Sequence, residues 1–501
     1  MTPEFLIGSA LCLPLIIAAG IAALGKFPNL REGVTIAGSV ILFAVVIQLT
    51  ILVANGQRPE LYIGEAVPGL TFAFKLEPIG ALFAFVASGL WIVNSFYSIG
   101  YMRGNRERNQ TRFYICFAIA ICGAMGVAMA GNLFTLFIFY EVLTLSTYPL
   151  VAHKGDAAAQ RGARIYLLTL LGTSIGFLLT AIMWTWVLAG QNLNFVDGGL
   201  LANVEMSPVV ASALLLLFVF GVGKAALMPF HFWLPNAMVA PTPVSALLHA
   251  VAVVKAGVFT VMKIAVYIFG ADLLIKTPSR EFLMDVACVT IVLASLIAMT
   301  KDNLKARLAY STIAQLAYVT LGAMLATQAG AMGGSLQIAA HAAGKLTLFM
   351  CAGAIYVATG LNNISDMRGL GRKMPLVFIA FFLASLSIIG IPPLAGSWPK
   401  YELMQGAVDG GFDWVPAVLI ISSLLNIAYL LPIPILALMP PPGTKAPKEF
   451  KRPGGAPWLT VAAPLFTAGV CIVLFFFIDP VGDFLAPAFA TVAIAPEVTF
   501  P

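Results

Sequence analysis

The residues with the clearest capacity for chemistry are ionisable side chains inside otherwise apolar stretches. A lysine at the centre of a membrane helix costs roughly 2.5 to 3.5 kcal/mol, so an ionisable residue there is a functional candidate by default. Lysine, glutamate and histidine can each bind and release a proton, and burial shifts the pH at which they do so. The candidates are Glu141, Lys224, His249, Lys255, Lys263, His341, Lys345 and Lys400.

Two of these residues are expected to form an ion pair. Glu141 lies in the middle of an apolar stretch, and the buried Lys224 is its natural partner. A pair would keep both groups ionised, whereas separation would release the lysine proton, and this coupling is a usable switch. Lys255 follows His249 by six residues, which is not one helical face, so communication between them requires water.

The second half of the chain carries a similar set. His341 and Lys345 are four residues apart and therefore share a helical face, where an imidazole beside an ammonium could pass a proton. Lys400 closes the series. The mechanism inferred from these residues is proton hopping along buried titratable groups and ordered water.

Structural alternatives exist for several of these residues. Lys263 lies near the end of its apolar stretch, and its preferred interpretation is a side chain that reaches the membrane interface or an anionic lipid. His249 and His341 could instead hydrogen-bond neighbouring helices. A purely structural role is harder to accept for Glu141, Lys224, Lys255 and Lys400 taken together. Uncharged side chains would pack helices at a lower energetic cost.

Composition identifies the elements that must position these residues. Of 501 residues, 60% are hydrophobic and 10% charged, and the mean hydropathy is +0.95, which excludes a water-soluble fold. Apolar runs predict an all-α integral membrane protein of about fourteen spans, the first retained rather than cleaved. The expected spans are 4–25, 33–54, 79–101, 113–130, 133–152, 163–189, 208–230, 241–270, 282–300, 306–326, 333–359, 375–408, 413–439 and 457–478.

No cofactor or metal is expected. The six cysteines lie in or beside apolar segments, without a C-x-x-C pair or a histidine at metal-ligand spacing.

The net charge of +6 does not indicate nucleic acid, because the positive residues are spread over short loops. Nineteen lysines and arginines fall in one set of alternate loops and four in the other. This bias predicts a multi-pass protein with both termini outside, and the expected location is the cell inner (plasma) membrane.

Two apolar segments are interrupted by helix-disrupting residues. Breaks at corresponding places in two halves indicate inverted-repeat transporters, with the functional site at the break. The sequence therefore predicts one membrane domain (1–501) with three N-terminal spans (1–112), two five-span repeats (113–270 and 282–439) and a last span (457–478). Breaks are expected in spans seven and twelve, at Pro229, Pro235, Pro392, Pro393 and Pro399.

Three segments resemble a known family. The run from Lys224 to Phe259, KAALMPFHFWLPNAMVAPTPVSALLHAVAVVKAGVF, closely resembles a signature of the proton-conducting, antiporter-like membrane subunits of respiratory complex I, membrane-bound hydrogenases and Mrp-type cation/proton antiporters. Asp302–Tyr318, DNLKARLAYSTIAQLAY, and Gly390–Tyr401, GIPPLAGSWPKY, resemble two further signatures. The resemblance covers nearly the whole chain.

The resemblance implies a fold and roles for particular residues. It implies fourteen helices containing two inverted five-helix repeats. By position, Glu141 matches the family's acidic residue on the fifth span, Lys224 the lysine on the broken seventh and Lys255 the lysine on the eighth. Lys400 matches the terminal titratable residue on the broken twelfth. The segment HAAGKLTLFMCAG departs from the family's bulkier pattern around Lys345.

Length and pattern are most similar to the D-type chain of Mrp antiporters. The leading hypothesis is a proton-translocating subunit of a multisubunit sodium(cation)/proton antiporter that works beside other membrane subunits in the lipid bilayer and performs no covalent chemistry. The alternative is a proton-pumping membrane subunit, of the N or M type, of NADH-quinone oxidoreductase or of a related hydrogenase or carbon-uptake complex. A stand-alone carrier or a purely structural subunit explains the series of lysines less well.

Overall fold

The computed structural model describes residues 2–442, 449–451 and 455–492, without the side chains of residues 249 and 250. The predicted role of the His249 side chain and the positions of three basic loop residues, Lys445, Lys448 and Arg452, therefore lie outside the described residues. Within the described ranges the chain is predominantly helical, as its composition predicts.

The N-terminal part contains three long helices and a β-hairpin. Each helix begins with a proline in its first turn, where the missing N–H leaves no helix bond unmade. The hairpin is antiparallel and was not predicted, because its two strands fall in a loop between apolar spans. The elements are α1 (Pro3–Ala23), α2 (Pro28–Ala54), β1 (Glu60–Val67), β2 (Leu70–Lys75) and α3 (Pro78–Gly104).

The first predicted repeat contains a long broken segment. Its regular helices are interrupted by π-helical and 3₁₀ turns, which occur often at functional sites. In order they are α4 (Gln110–Ala128), α5 (Leu133–Val151), α6 (Ala157–Thr173), a π-helix (Ser174–Leu178), α7 (Leu179–Leu188), α8 (Pro208–Gly221), a 3₁₀ turn (Gly223–Ala225), α9 (Trp233–Asn236), a 3₁₀ turn (Ala237–Val239), α10 (Thr242–Ala246), a π-helix (Leu247–Val251), α11 (Val253–Lys263), a π-helix (Ile264–Phe269) and α12 (Gly270–Lys276).

The second predicted repeat and the last span follow a similar order. The elements are α13 (Ser279–Thr300), α14 (Leu304–Leu325), α15 (Gln328–Thr359), 3₁₀ turns (Ile364–Met367 and Leu370–Arg372), α16 (Pro375–Ile389), α17 (Ser397–Asp409), α18 (Val415–Leu430), α19 (Pro432–Leu438), α20 (Trp458–Phe476), α21 (Ile478–Leu485) and a 3₁₀ turn (Ala486–Phe489).

Both expected helix breaks are present. After α8 ends at Gly221, the chain turns through the segment that holds Pro229, and Pro235 lies in the short α9. Pro392 and Pro393 occupy the turn between α16 and α17, and Pro399 is in the first turn of α17. Prolines fit these places because they lack the N–H that a continuous helix would need.

Continuous helices alone do not reproduce the predicted count of fourteen. In the described ranges, twelve helices are long and apolar enough to cross a membrane. Two shorter apolar helices, α8 and α16, precede the breaks in predicted spans seven and twelve. The difference in count therefore lies in the interrupted segments, where no unbroken helix reaches the required length.

The candidate lysines and His341 are buried, and the degree of burial differs strongly among the helices. The apolar stretch of α15 is 100% buried and that of α14 is 94% buried, whereas those of α2 and α20 are 33% buried. The weakly buried helices carry exposed aliphatic and aromatic side chains, as lipid-facing helices do. We call the side that holds the hairpin and the α4–α5 turn, which the loop charges predict to be external, the outer face.

Candidate functional site

Lys224 lies in the first helix break and is completely buried. Its ammonium donates hydrogen bonds to the carbonyl oxygen of Tyr140 at 2.8 Å and to Oγ1 of Thr144 at 2.6 Å. The same Nζ is 3.0 Å from the centre of the Tyr140 ring, a favourable position for a cation over an aromatic face. Neutral oxygens and a ring, all from α5, therefore surround this lysine.

The expected direct ion pair between Glu141 and Lys224 is not formed. Both carboxylate oxygens of Glu141 are inaccessible and have no hydrogen-bond partner among the described residues. The reason is local: the Lys224 ammonium is turned to the Tyr140 carbonyl and the Thr144 hydroxyl, which flank Glu141 on the same helix. The two charged groups remain close enough to interact electrostatically.

Glycines bring other helices against this break. A Cβ atom at Gly257 of α11 would overlap the peptide that joins Lys224 to Ala225. A Cβ atom at Gly223 would likewise overlap the Thr173 hydroxyl on α6. Small residues at such crossings allow backbones to approach closely in membrane proteins. The close approach of α11 places Lys255, two residues before Gly257, beside the broken segment.

Lys255 contacts a histidine of the second predicted repeat. Its Nζ lies 2.7 Å from Nδ1 of His341 on α15, and both side chains are buried. The sequence related His341 to Lys345 and Lys255 to His249, and it did not predict this contact, because helix spacing says nothing about neighbours from distant segments. The Lys255–His341 contact joins ionisable groups of the two predicted repeats.

Lys345 is also fully buried and lacks a carboxylate contact among the described residues. Its Nζ donates to Oγ of Ser311 at 2.5 Å and, more weakly, to the Leu308 carbonyl at 3.4 Å. The hydroxyl of Tyr429, on α18, donates to the same Ser311 oxygen at 2.8 Å and also contacts Asn426. A hydroxyl pair thus extends from Lys345 toward α18.

Lys400 lies in the first turn of α17, beside the second break, and is 5% exposed. Its Nζ donates to the carbonyl of Ile389 at 2.6 Å and to Oγ of Ser423 on α18 at 2.8 Å. The freed carbonyl at the end of α16 therefore holds this ammonium. Gly390 lies against the lysine stem with a φ of +87°, a conformation that favours glycine.

Helices that contact Lys345 and Lys400 carry buried polar atoms without a hydrogen-bond partner from the described residues. Buried polar atoms are normally satisfied, by water where no protein partner is available. Four such atoms on α14, α15 and α18 have no hydrogen-bond partner in the described part of the chain: Gln315 Nε2, Thr320 Oγ1, Ser335 Oγ and Asn426 Nδ2. This region is suited to hold ordered water.

The interfacial interpretation of Lys263 is wrong. The side chain is completely buried, and its Nζ is 2.9 Å from Oε2 of Glu77. The ammonium also donates to the Ala130 carbonyl at 2.8 Å and lies 3.9 Å from the centre of the Phe195 ring. The position near the end of its helix suggested lipid, but Glu77, the Ala130 carbonyl of the α4–α5 turn and the Phe195 ring cover this side chain.

The sequence analysis did not identify several residues that contact the buried lysines or link them. Glu77 gave no signal, because it stands in a loop immediately before a helix-starting proline. Thr144, Ser311, Ser423 and Tyr429 are ordinary polar residues of membrane helices, where hydroxyls commonly bond their own backbone. Only the packing of distant helices distinguishes them from the other serines, threonines and tyrosines.

The comparison with protein families identifies the class of this chain. The profile of the family described as "NADH:quinone oxidoreductase/Mrp antiporter, TM" matches residues 130–426, more than half of the sequence. The chain therefore belongs to this family. The match includes all the candidate residues from Glu141 to Lys400.

Individual relatives come from both branches of the family name. NADH-quinone oxidoreductase subunit N of Desulforudis audaxviator is 31% identical over 89% of this chain and 89% of its own length. A probable K(+)/H(+) antiporter component of Rhizobium meliloti is 30% identical over 81% of this chain. An NAD(P)H-quinone oxidoreductase subunit 5 of Paulinella chromatophora is 32% identical over 68% of it. The alignments span 41% and 52% of these last two proteins.

Solved structures confirm the expected fold. A chain of an archaeal membrane-bound sulfane sulfur reductase matches with a TM-score of 0.85 at 23% identity, covering 97% of both chains. A chain of the Mrp complex from Dietzia sp. matches at 0.81 and 22% identity, over 96% of this chain and 97% of its own. One of complex I from Thermus thermophilus matches at 0.82 and 20%, over 98% and 100%.

The close approach at Gly257 generates a prediction about the first break. Replacing Gly257 by Ala should destabilise the protein by about 1 to 3 kcal/mol, because the added methyl group must displace the backbone at Lys224. The measurement is thermal denaturation of the purified protein in detergent. The control is Gly172→Ala, since a Cβ there meets nothing within 4 Å. Equal denaturation temperatures for the two variants would show that the crossing is not tight.

Proposed function

We propose that this chain translocates protons across a membrane as one subunit of a multisubunit cation/proton antiporter. The observation that carries the proposal is a series of four buried lysines, each held by neutral oxygens or an imidazole. They are Lys224, Lys255, Lys345 and Lys400. An ammonium without a carboxylate in contact is only moderately stabilised against loss of its proton in a buried site.

The contacts support a proton path along the bundle rather than four isolated lysines. Lys224 and Lys255 lie on either side of the Gly257 crossing, and Lys255 reaches the second repeat through His341. A neutral imidazole can accept a proton at one nitrogen and release one from the other. From Lys345, the Ser311 and Tyr429 hydroxyls lead toward α18, which also supplies the Ser423 partner of Lys400.

Glu141 is suited to control occupancy at the first lysine. Its unpaired carboxylate lies one residue from Tyr140 and three from Thr144, the two groups that hold the Lys224 ammonium. Moving this carboxylate into contact with Lys224 would stabilise the protonated lysine, and moving it away would favour release. In this role the pair is a switch with separated and contacting states, of which the structure contains the separated one.

The subunit context is part of the proposal. Other membrane subunits would supply the exchanged cation path, because Glu141 is the one acid deep in an expected span and sodium prefers several oxygen ligands. The antiporter assignment rests on the sequence resemblance to the D-type Mrp chain and on the similarity to the Rhizobium meliloti antiporter component. We place the chain in the plasma membrane with both termini outside, and divide it at 1–112, 113–270, 282–439 and 457–478.

A second candidate function is favoured by a specific observation. The similarity to an NADH-quinone oxidoreductase subunit N extends over 89% of this chain and 89% of that protein. In that case the same relay would be driven by quinone reduction in partner subunits. This chain would again conduct protons without redox chemistry of its own.

Substitution of Lys224 tests the proton role. In the assembled complex reconstituted into liposomes, Lys224→Ala should slow proton-coupled transport at least about tenfold, since a positioned proton-transfer group commonly contributes more than that. The rate is measured with a pH-sensitive dye inside the liposomes. Lys154→Ala, at an exposed loop position, is the matched control and should transport normally. Normal transport by an assembled Lys224→Ala complex would contradict the proposal.

Co-purifying subunits distinguish the two energy sources. We expect small membrane subunits of an antiporter to co-purify with this chain from native membrane in mild detergent. Mass spectrometry of the purified complex identifies them. Recovery of iron–sulfur and NADH-binding subunits instead would contradict the antiporter assignment and favour the redox-driven complex, while leaving the relay itself untouched.

A further inference from the structure

The buried ion pair between Lys263 and Glu77 lies outside the series of residues described above. Lys263 is on α11, eight residues after Lys255, which corresponds to about 12 Å along a helix axis. Glu77 immediately precedes α3 and follows the hairpin on the outer face. The side chains of Lys263 and Glu77 are 0% and 4% exposed.

Charged groups continue from this pair to the surface. Lys75, two residues before Glu77, has a 33% exposed side chain and pairs with Glu60 at 3.3 Å, whose side chain is 62% exposed. The exposed Asp197 also interacts electrostatically with both members of the buried pair. Exposure therefore rises stepwise from Lys263 to Glu60.

The ion pair is not required to fasten the hairpin. The backbone N–H of Lys75 donates to the Met129 carbonyl at 2.8 Å, and that of Gly131 donates to the Ala73 carbonyl at 2.9 Å. These bonds already tie the hairpin to the α4–α5 turn. A buried ion pair is a weak source of stability, because desolvation of the two charges offsets their attraction. A purely structural explanation therefore leaves the choice of charged residues unaccounted for.

We propose that Glu77 and Lys263 form an outer proton terminal, through which the first half of the relay exchanges protons with water on the outer face. The Lys263 ammonium gives its proton to the Glu77 carboxylate, which becomes a neutral carboxylic acid. The acid then loses the proton to outer water, and the Lys263 amine is reprotonated from the Lys255 side through intervening water. The inference rests on the proposed proton-translocating function.

The surroundings of Glu77 suit this exchange. Burial raises the pKa of its carboxyl group, while the neighbouring Lys263 ammonium opposes that shift. Lys75 and Asp197 act on the same carboxyl with opposite signs, and the Tyr267 hydroxyl faces it from the π-helix after α11. Proton transfer from Lys263 neutralises both groups at once, which removes the desolvation cost of two buried charges, and reprotonation of the Lys263 amine then favours release of the proton from Glu77.

A paired neutral substitution tests the terminal without leaving a buried unpaired charge. The variant Glu77→Gln with Lys263→Met removes both charges together, and such replacements often leave stability unchanged. In the assembled complex in liposomes, we expect normal subunit composition, at least about tenfold slower proton-coupled transport and loss of the dependence on outer pH. Glu65→Gln, an exposed carboxylate of the same hairpin, is the control and should behave like the parent.

Parallel measurements separate the possible failures. If the paired variant assembles and transports normally while Lys224→Ala does not, the proposal of an outer proton terminal is wrong and the proposed function stands. If neither variant affects transport, the proposed function itself fails. If the paired variant does not assemble, Glu77→Asp decides: a shortened carboxylate should keep transport but displace its outer pH midpoint. An unchanged pH profile for Glu77→Asp would then overturn the proposal.

Discussion

The constraint on which the structure depends is the cost of keeping ammonium groups inside an apolar bundle. Each buried lysine needs oxygen atoms or an aromatic ring that stabilise its ammonium group. The partner must not bind the ammonium so strongly that the lysine can no longer release its proton. Lys224 and Lys400 meet this requirement with a main-chain carbonyl and one hydroxyl each. Lys345 uses a serine, and Lys255 an imidazole. The Lys263–Glu77 pair is the exception, and it lies where the bundle meets the outer face.

The broken helices and small residues serve this same constraint. A continuous α16 would use the Ile389 carbonyl in its own hydrogen-bond pattern, whereas the break leaves that oxygen for Lys400. At the first break, Gly257 lets α11 lie directly against the peptide of Lys224. The helices that carry Lys255 and Lys345 are among the most buried ones, so these two charged groups are removed from lipid by the surrounding spans. Irregular backbone is tolerated there because protein, rather than hydrocarbon, surrounds it.

The sequence predicted the class of fold, both breaks and the location of the buried lysines, because charges and prolines inside apolar runs are visible without a structure. It did not predict partners. The expected contact of Glu141 with Lys224 is replaced by contacts of that lysine with the neighbouring turn of α5, and His341 meets Lys255 across two distant segments. The hairpin was missed because a short two-stranded element gives little signal. Lys263 was assigned to the interface because it lies near the end of its apolar stretch, although Glu77 contacts it in the structure. Distances along the sequence fix which residues share a helix face, but only helix packing fixes what faces them.

The most direct test of the central claim is an experimental map of the assembled complex at a resolution that shows ordered water. The account predicts water molecules bonded to the unpaired polar atoms of α14, α15 and α18, in a continuous line between the Lys345 and Lys400 ammonium groups. Both lysines should keep the neutral partners described above. A dry, fully packed region between these two lysines, with their side chains directed toward lipid, would contradict the account.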